Sequence, residues 1–76
     1  MYEIKADTGG TVIDIKVAEG ERITSGGTLA MLESMKIEIP VTAPVSGIVV
    51  EVRAQLGLAI EEGDVLMVVD PSTIGS

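Results

Sequence analysis

Apolar and polar positions alternate with period two along most of this chain. Ile13, Ile15 and Val17 are interleaved with Asp14 and Lys16; Ile37, Ile39 and Val41 with Glu38, Pro40 and Thr42; Val50 and Val52 with Glu51 and Arg53. Side chains on a strand point to opposite faces in turn, so this pattern predicts half-buried β-strands. The one segment with helical propensity, Met31 to Ile39, has apolar residues that also alternate, and Pro40 would end a helix there. Turn glycines recur at Gly9-Gly10, Gly20, Gly26-Gly27, Gly47, Gly57 and Gly63. Short strands in that rhythm predict a small antiparallel barrel or sandwich.

An internal repeat organises the pattern. Sliding the chain by 37 residues sets Ala6–Ser34 on Ala43–Pro71 without a gap. Gly10 then meets Gly47, Gly20 meets Gly57, Gly26 meets Gly63, Val12 meets Val49, Ile23 meets Ile60 and Leu29 meets Leu66. Apolar matches are easy in an aliphatic chain; turn glycines falling in register are not. The register extends into the first strand, where Ile4 meets Val41. Each half, about 4–34 and 41–71, supplies roughly four short strands, and neither buries its apolar face alone.

The expected fold is therefore all-β, a flattened barrel or sandwich of two four-stranded antiparallel sheets with quasi-twofold symmetry. Its inner faces would press Ile13, Ile15, Val17, Ile23, Leu29 and Met31 against Val50, Val52, Ile60, Leu66 and Val68. Residues 1–71 form the domain and 72–76, with little apolar content, read as a flexible tail. Leu56 and Leu58 stand where the first half has Glu19 and Glu21; they either pack over the barrel edge or form a docking patch.

Composition narrows the chemistry. Of 76 residues, 46% are hydrophobic and almost all of these aliphatic, enough for one packed domain. There is no Cys, His, Trp or Phe, so disulfides, thiolate or imidazole nucleophiles and Cys/His metal sites are excluded. A net charge of −7 with one aromatic, Tyr2, argues against nucleic acid. The longest aliphatic run, Val65 to Val69, is far short of the roughly 20 residues of a membrane helix, and the N-terminus lacks a signal pattern. A cytoplasmic domain, monomeric when isolated and without membrane contact, is expected. Twelve carboxylates could include an acid/base pair, but a small barrel filled by its own side chains leaves little room for substrate.

The repeat also singles out one lysine. Met35-Lys36 joins the two halves, and its counterpart, Ser72-Thr73, falls where the repeat has run out. One pole should thus carry a tight turn and the other both chain ends. Turns usually call for Gly, Asn, Asp or Pro, yet this tip reads Ser34-Met35-Lys36-Ile37. Lys36 is either a solvated charge or a handle. Met35 either tucks back on the barrel as filler or stands out for recognition.

Glu33-Ser34-Met35-Lys36-Ile37-Glu38 resembles the modification motif of the biotinyl/lipoyl attachment domain family, whose biotinyl branch sets its lysine in Met-Lys-Met. Ala43-Pro44, Gly47, Gly57 and Gly63 are similar to the downstream part of the same pattern, and the likeness spans about Ile4 to Val69. It implies the barrel-sandwich hybrid (single hybrid motif) fold of short stand-alone carriers. It implies too that Lys36 is joined to biotin as an amide by a biotin protein ligase, which would read Glu33, Ser34, Met35 and Ile37. The carrier would move carboxyl, as carboxybiotin, between the biotin carboxylase and carboxyltransferase sites of a biotin-dependent carboxylase. No residue of the carrier itself would be catalytic, and no metal is implied.

Ser34 stands where Ala is common in the biotinyl branch, and Ile37 where a second Met is usual. The lipoyl branch prefers an acidic residue before the lysine and a small one after it, which Met35 and Ile37 do not match. The gapless halves leave no room for the protruding loop of some biotinyl carriers. A lipoyl carrier of a 2-oxoacid dehydrogenase or glycine-cleavage system, and an unmodified structural or interaction module, are the alternatives.

Overall fold

The computed structural model describes residues 1–71; the tail expected at 72–76 and the Ser72-Thr73 counterpart of the turn lie outside the described residues. The eight strands are β1 (Tyr2–Lys5), β2 (Gly10–Ile15), β3 (Arg22–Ile23), β4 (Thr28–Ser34), β5 (Ile37–Thr42), β6 (Gly47–Val52), β7 (Ala59–Ile60) and β8 (Val65–Asp70). They form two four-stranded antiparallel sheets, ordered β1-β8-β6-β3 and β5-β4-β2-β7. Among the described residues no helix is long and apolar enough to cross a membrane.

The duplication read from the glycines is present in the backbone. β2 and β6, β3 and β7, and β4 and β8 begin 37 residues apart. Gly20 N–H donates to Val49 O at 2.7 Å, and its counterpart Gly57 N–H donates to Val12 O at 2.8 Å. Gly26 N–H donates to Ala43 O, and Gly63 N–H to Ala6 O. The halves are interleaved: each sheet takes two strands from each half, so neither half forms a layer of its own. Every first-half strand thereby finds hydrogen-bond partners or a facing apolar surface in the second half, which couples the two halves into one core.

The expected core needs one correction. Val12 pairs with Leu32 and Asp14 with Met31, leaving Ile13 as an extra residue; Val50 is the extra residue between Val49 and Glu51. These matched β-bulges shift the register by one and change which side chains face inward. Val12 and Val49 are therefore buried, while Ile13 and Val50 face solvent and Met31 is only half-buried. Val12, Leu29, Leu32, Val49, Leu66, Met67 and Val69 form the most buried set, each worth about 1.5–3 kcal/mol of burial. Ile23 and Ile60 are buried as expected, Ile15, Val17 and Val52 pack partly buried against the core, and Val68 is buried outside its central cluster.

Leu56 and Leu58 do not complete the core; they are 67% and 42% exposed. In the first half Glu19 Oε2 accepts the Val52 N–H at 3.2 Å, and Glu21 Oε1 accepts the Ala18 N–H at 3.0 Å. Leucine can make neither bond, so the second half gives up two hydrogen bonds and exposes apolar surface.

Candidate functional site

The β4–β5 hairpin carries the candidate site. Its ladder runs from Thr28↔Thr42 to Ser34↔Ile37, so only Met35 and Lys36 are left to make the turn. β5 is a sheet edge, which explains how Pro40, with no N–H to donate, sits inside a strand. The hairpin base is held closely by β2. A Cβ on Gly10 would lie 2.8 Å from Glu33 O, so only glycine lets the two backbones approach this far.

Met35 and Lys36 have φ of 53° and 67°, and are the only non-glycine residues with positive φ among the described ones. Positive φ at both central positions is the signature of a type I′ turn, whose twist matches that of paired strands. Side chains beyond glycine and asparagine are costly there, by roughly 1–2 kcal/mol per residue. The long ladder on either side holds the pair in this conformation.

The turn points both residues outward. Met35 is 91% exposed, which excludes its role as filler against the barrel, and Lys36 is exposed beside it. Ile37 starts β5, as its place in the alternation suggests, yet is 63% exposed. Ser34 is half-buried at the ladder's end and Glu33 is exposed. The residues expected to be read together, Glu33, Ser34, Met35 and Ile37, are thus gathered around Lys36.

The three lysines differ in their surroundings. Lys16 Nζ donates to Asp14 Oδ2 at 2.9 Å, and Lys5 Nζ lies 4.0 Å from Glu3 Oε1. Lys36 Nζ has no hydrogen-bond or ion-pair partner among the described residues. The Lys16 ammonium, through its hydrogen bond and then its charge, holds the Asp14 carboxyl below the usual 3.8. Glu38, which the motif contains but the sequence does not mark as a site residue, faces Glu33 directly across the hairpin. The signal was available in the two-residue turn, which fixes those two carboxylates as partners.

Elsewhere the body offers little chemistry. Among the described residues there is no group of three or more acidic, His or Cys side chains able to hold a metal, and no buried side-chain polar atom lacks a partner. A single exposed primary amine on a strained, rigid turn suits a group that is bonded through the amine and carried outside the body. Biotin, attached through an amide, fits those requirements.

Comparison with known proteins agrees with this geometry. A family model described as "Biotin-requiring enzyme" (biotin/lipoyl) matches residues 1–69. The chain is 42% identical to the biotinylated protein TB7.3 homolog of Mycobacterium leprae, over 88% of this chain and 94% of that one. It is 41% identical to the biotin/lipoyl attachment protein of Bacillus subtilis, over 92% of this chain and 96% of that one. Among solved structures, the urea carboxylase of Kluyveromyces lactis superposes with a TM-score of 0.84 at 26% identity, covering 91% of this chain and 6% of the carboxylase. The chain belongs to the biotin/lipoyl attachment family and is a carrier domain of the biotin carboxyl carrier type, homologous to the biotinyl domains of carboxylases.

Proposed function

We propose that Lys36 is the attachment point of biotin and that the domain carries carboxyl between two partner active sites. The observation that supports this reading is the unpartnered Lys36 amine at the apex of a type I′ turn, the outermost point of a long hairpin. A biotin protein ligase would read the surface made by Glu33, Ser34, Met35 and Ile37. It would supply the activated biotinyl group and take the proton from the ammonium. Lys36 Nζ then bonds to the biotinyl carbonyl as the activating group leaves with the electron pair of the broken bond.

The bound group supplies a ureido nitrogen that accepts and releases carboxyl. The chain's own residues supply placement. The turn fixes the point at which the arm leaves the body, and the interleaved sheets give a body that a biotin carboxylase and a carboxyltransferase can each grip. Tethering makes each encounter effectively intramolecular, at local concentrations on the millimolar scale. The carrier acts as a monomer in the cytoplasm, and no residue of it is catalytic.

Intact mass after incubation with biotin, ATP and biotin protein ligase tests the reading. A gain of one biotinyl amide, absent in Lys36→Ala, is expected. A gain only with lipoate and lipoate ligase would replace biotin by lipoate, and no gain with either would leave an unmodified interaction module.

A further inference from the structure

The two sheets leave a gap on one side of the molecule. β1 and β5 are edge strands, one from each sheet, and they are counterparts in the two halves, so they face each other near the quasi-twofold axis. Between them runs a groove of about 510 Å³, a volume in the range of small-ligand sites. Leu32 of the core forms part of its lining.

One end of the groove lies toward the Lys36 hairpin. β5 enters the groove at Ile39, three residues after Lys36, or about 10 Å along a strand. The opposite wall at that end is formed by Lys5, Asp7 and Thr8, on the segment leading to Gly10, which abuts Glu33 at the hairpin base. An amide-linked arm on Lys36 has about ten single bonds between Cα and a biotin ring, a reach of roughly 12 Å. Its ring therefore reaches the groove without any movement of the body.

The lining matches the ring's two faces. A ureido group offers two N–H donors and one carbonyl acceptor. Asp7 brings a carboxylate that accepts and Lys5 an ammonium that donates, while the Thr8 hydroxyl donates to Gly9 O at 3.5 Å and would have to leave that long contact to reach a ligand. Ile39 and Pro40 on the other wall give the hydrocarbon and thioether part of the bicycle an apolar surface. Lys5 is held only by its 4.0 Å contact with Glu3, so turning toward a carbonyl loses little.

We propose that the groove between β1 and β5 is a resting site for the biotinyl group, occupied when the arm is not inside a partner. The proposal rests on the carrier reading for the arm's presence, but not for the groove's affinity. Resting there withdraws the ring from bulk water and keeps it beside the hairpin that partners grip. Binding must be weak, because a partner's active site has to recover the ring.

Amide-resolved NMR of the isotopically labelled chain tests this. In protein modified at Lys36, as verified by intact mass, shifts should appear at Lys5 to Thr8 and Ile39 to Val41 as well as at Met35 to Ile37. Nuclear Overhauser contacts from the biotin ring to Ile39 should accompany them. Shifts confined to Met35 to Ile37 would overturn the proposal. If the chain takes no biotin, the carrier reading fails on its own, and the groove is tested separately by titrating biotinamide into the unmodified chain. Saturable shifts at the same groove residues, weakened several-fold in Asp7→Ala, are then expected; their absence overturns the proposal.

Discussion

Ser34 and Ile37 face each other as the last pair of the β4–β5 ladder, and the two residues between them, Met35 and Lys36, both take left-handed backbone. The turn asks for Asn-Gly and receives two long side chains. Backbone strain is accepted here, and an exposed amine stands at the apex.

Replacing the pair by the residues the turn prefers should reverse that trade. The double variant Met35→Asn/Lys36→Gly is expected to be more stable than the wild type by about 1–3 kcal/mol, from relieved left-handed strain. It should accept no biotin. Chemical denaturation with intact-mass analysis checks both halves of the expectation; an unchanged or lower stability would mean that the turn is not strained.

Met35→Asp separates recognition from folding. With Met35 91% exposed, the substitution should change stability by less than about 1 kcal/mol. A carboxylate beside the target amine should nevertheless slow ligation by biotin protein ligase at least several-fold. A thermal melt and a ligation time course together decide the matter, and loss of folding would place Met35 in the core.

Gly10→Ala probes the support beneath the hairpin. The added Cβ would meet Glu33 O at 2.8 Å, a backbone atom that cannot swing away. A loss of about 1–3 kcal/mol is expected, with increased hydrogen exchange in β4 and β5. At Gly47, the counterpart, a Cβ would press on Asp70 O at the opposite pole. Gly47→Ala should destabilise the fold while leaving hairpin exchange closer to wild type.

The repeat and the hairpin were legible because glycines mark turns wherever they stand, and matching Gly10, Gly20 and Gly26 with Gly47, Gly57 and Gly63 carries topological information. Less visible was the inward face of β2 and β6. Ile13-Asp14-Ile15 alternates cleanly in sequence, but the bulge at Ile13 is set by how β2 meets β4, a non-local relation. For the same reason the interleaving of the halves was hidden: periodicity shows that strands exist, not which neighbours they choose. The left-handed backbone of Met35 and Lys36 escaped composition rules since neither residue favours it; it comes with closing a twisted ladder by a two-residue turn.

Acid should weaken one surface contact selectively. The Asp14 carboxyl is lowered below 3.8 by Lys16, and a depressed folded value stabilises the protein above the unfolded pKa. That small contribution disappears as pH falls through the lowered folded value. Wild type and Asp14→Asn should therefore differ most near neutral pH and converge at strongly acidic pH, as thermal melts across that range would show. A difference that grows on acidification would contradict the assignment.

The most direct test of the central claim is to locate the modification. After ligation with biotin and ATP, the protein is digested and its peptides fragmented, so that Lys5, Lys16 and Lys36 are read separately. Biotin on Lys36 alone is the expected result, since the other two amines lie beside the carboxylates of Glu3 and Asp14, Lys5 at the end of β1 and Lys16 just after β2. Biotin on Lys5 or Lys16 in the folded protein, or on none of the three, would contradict the account.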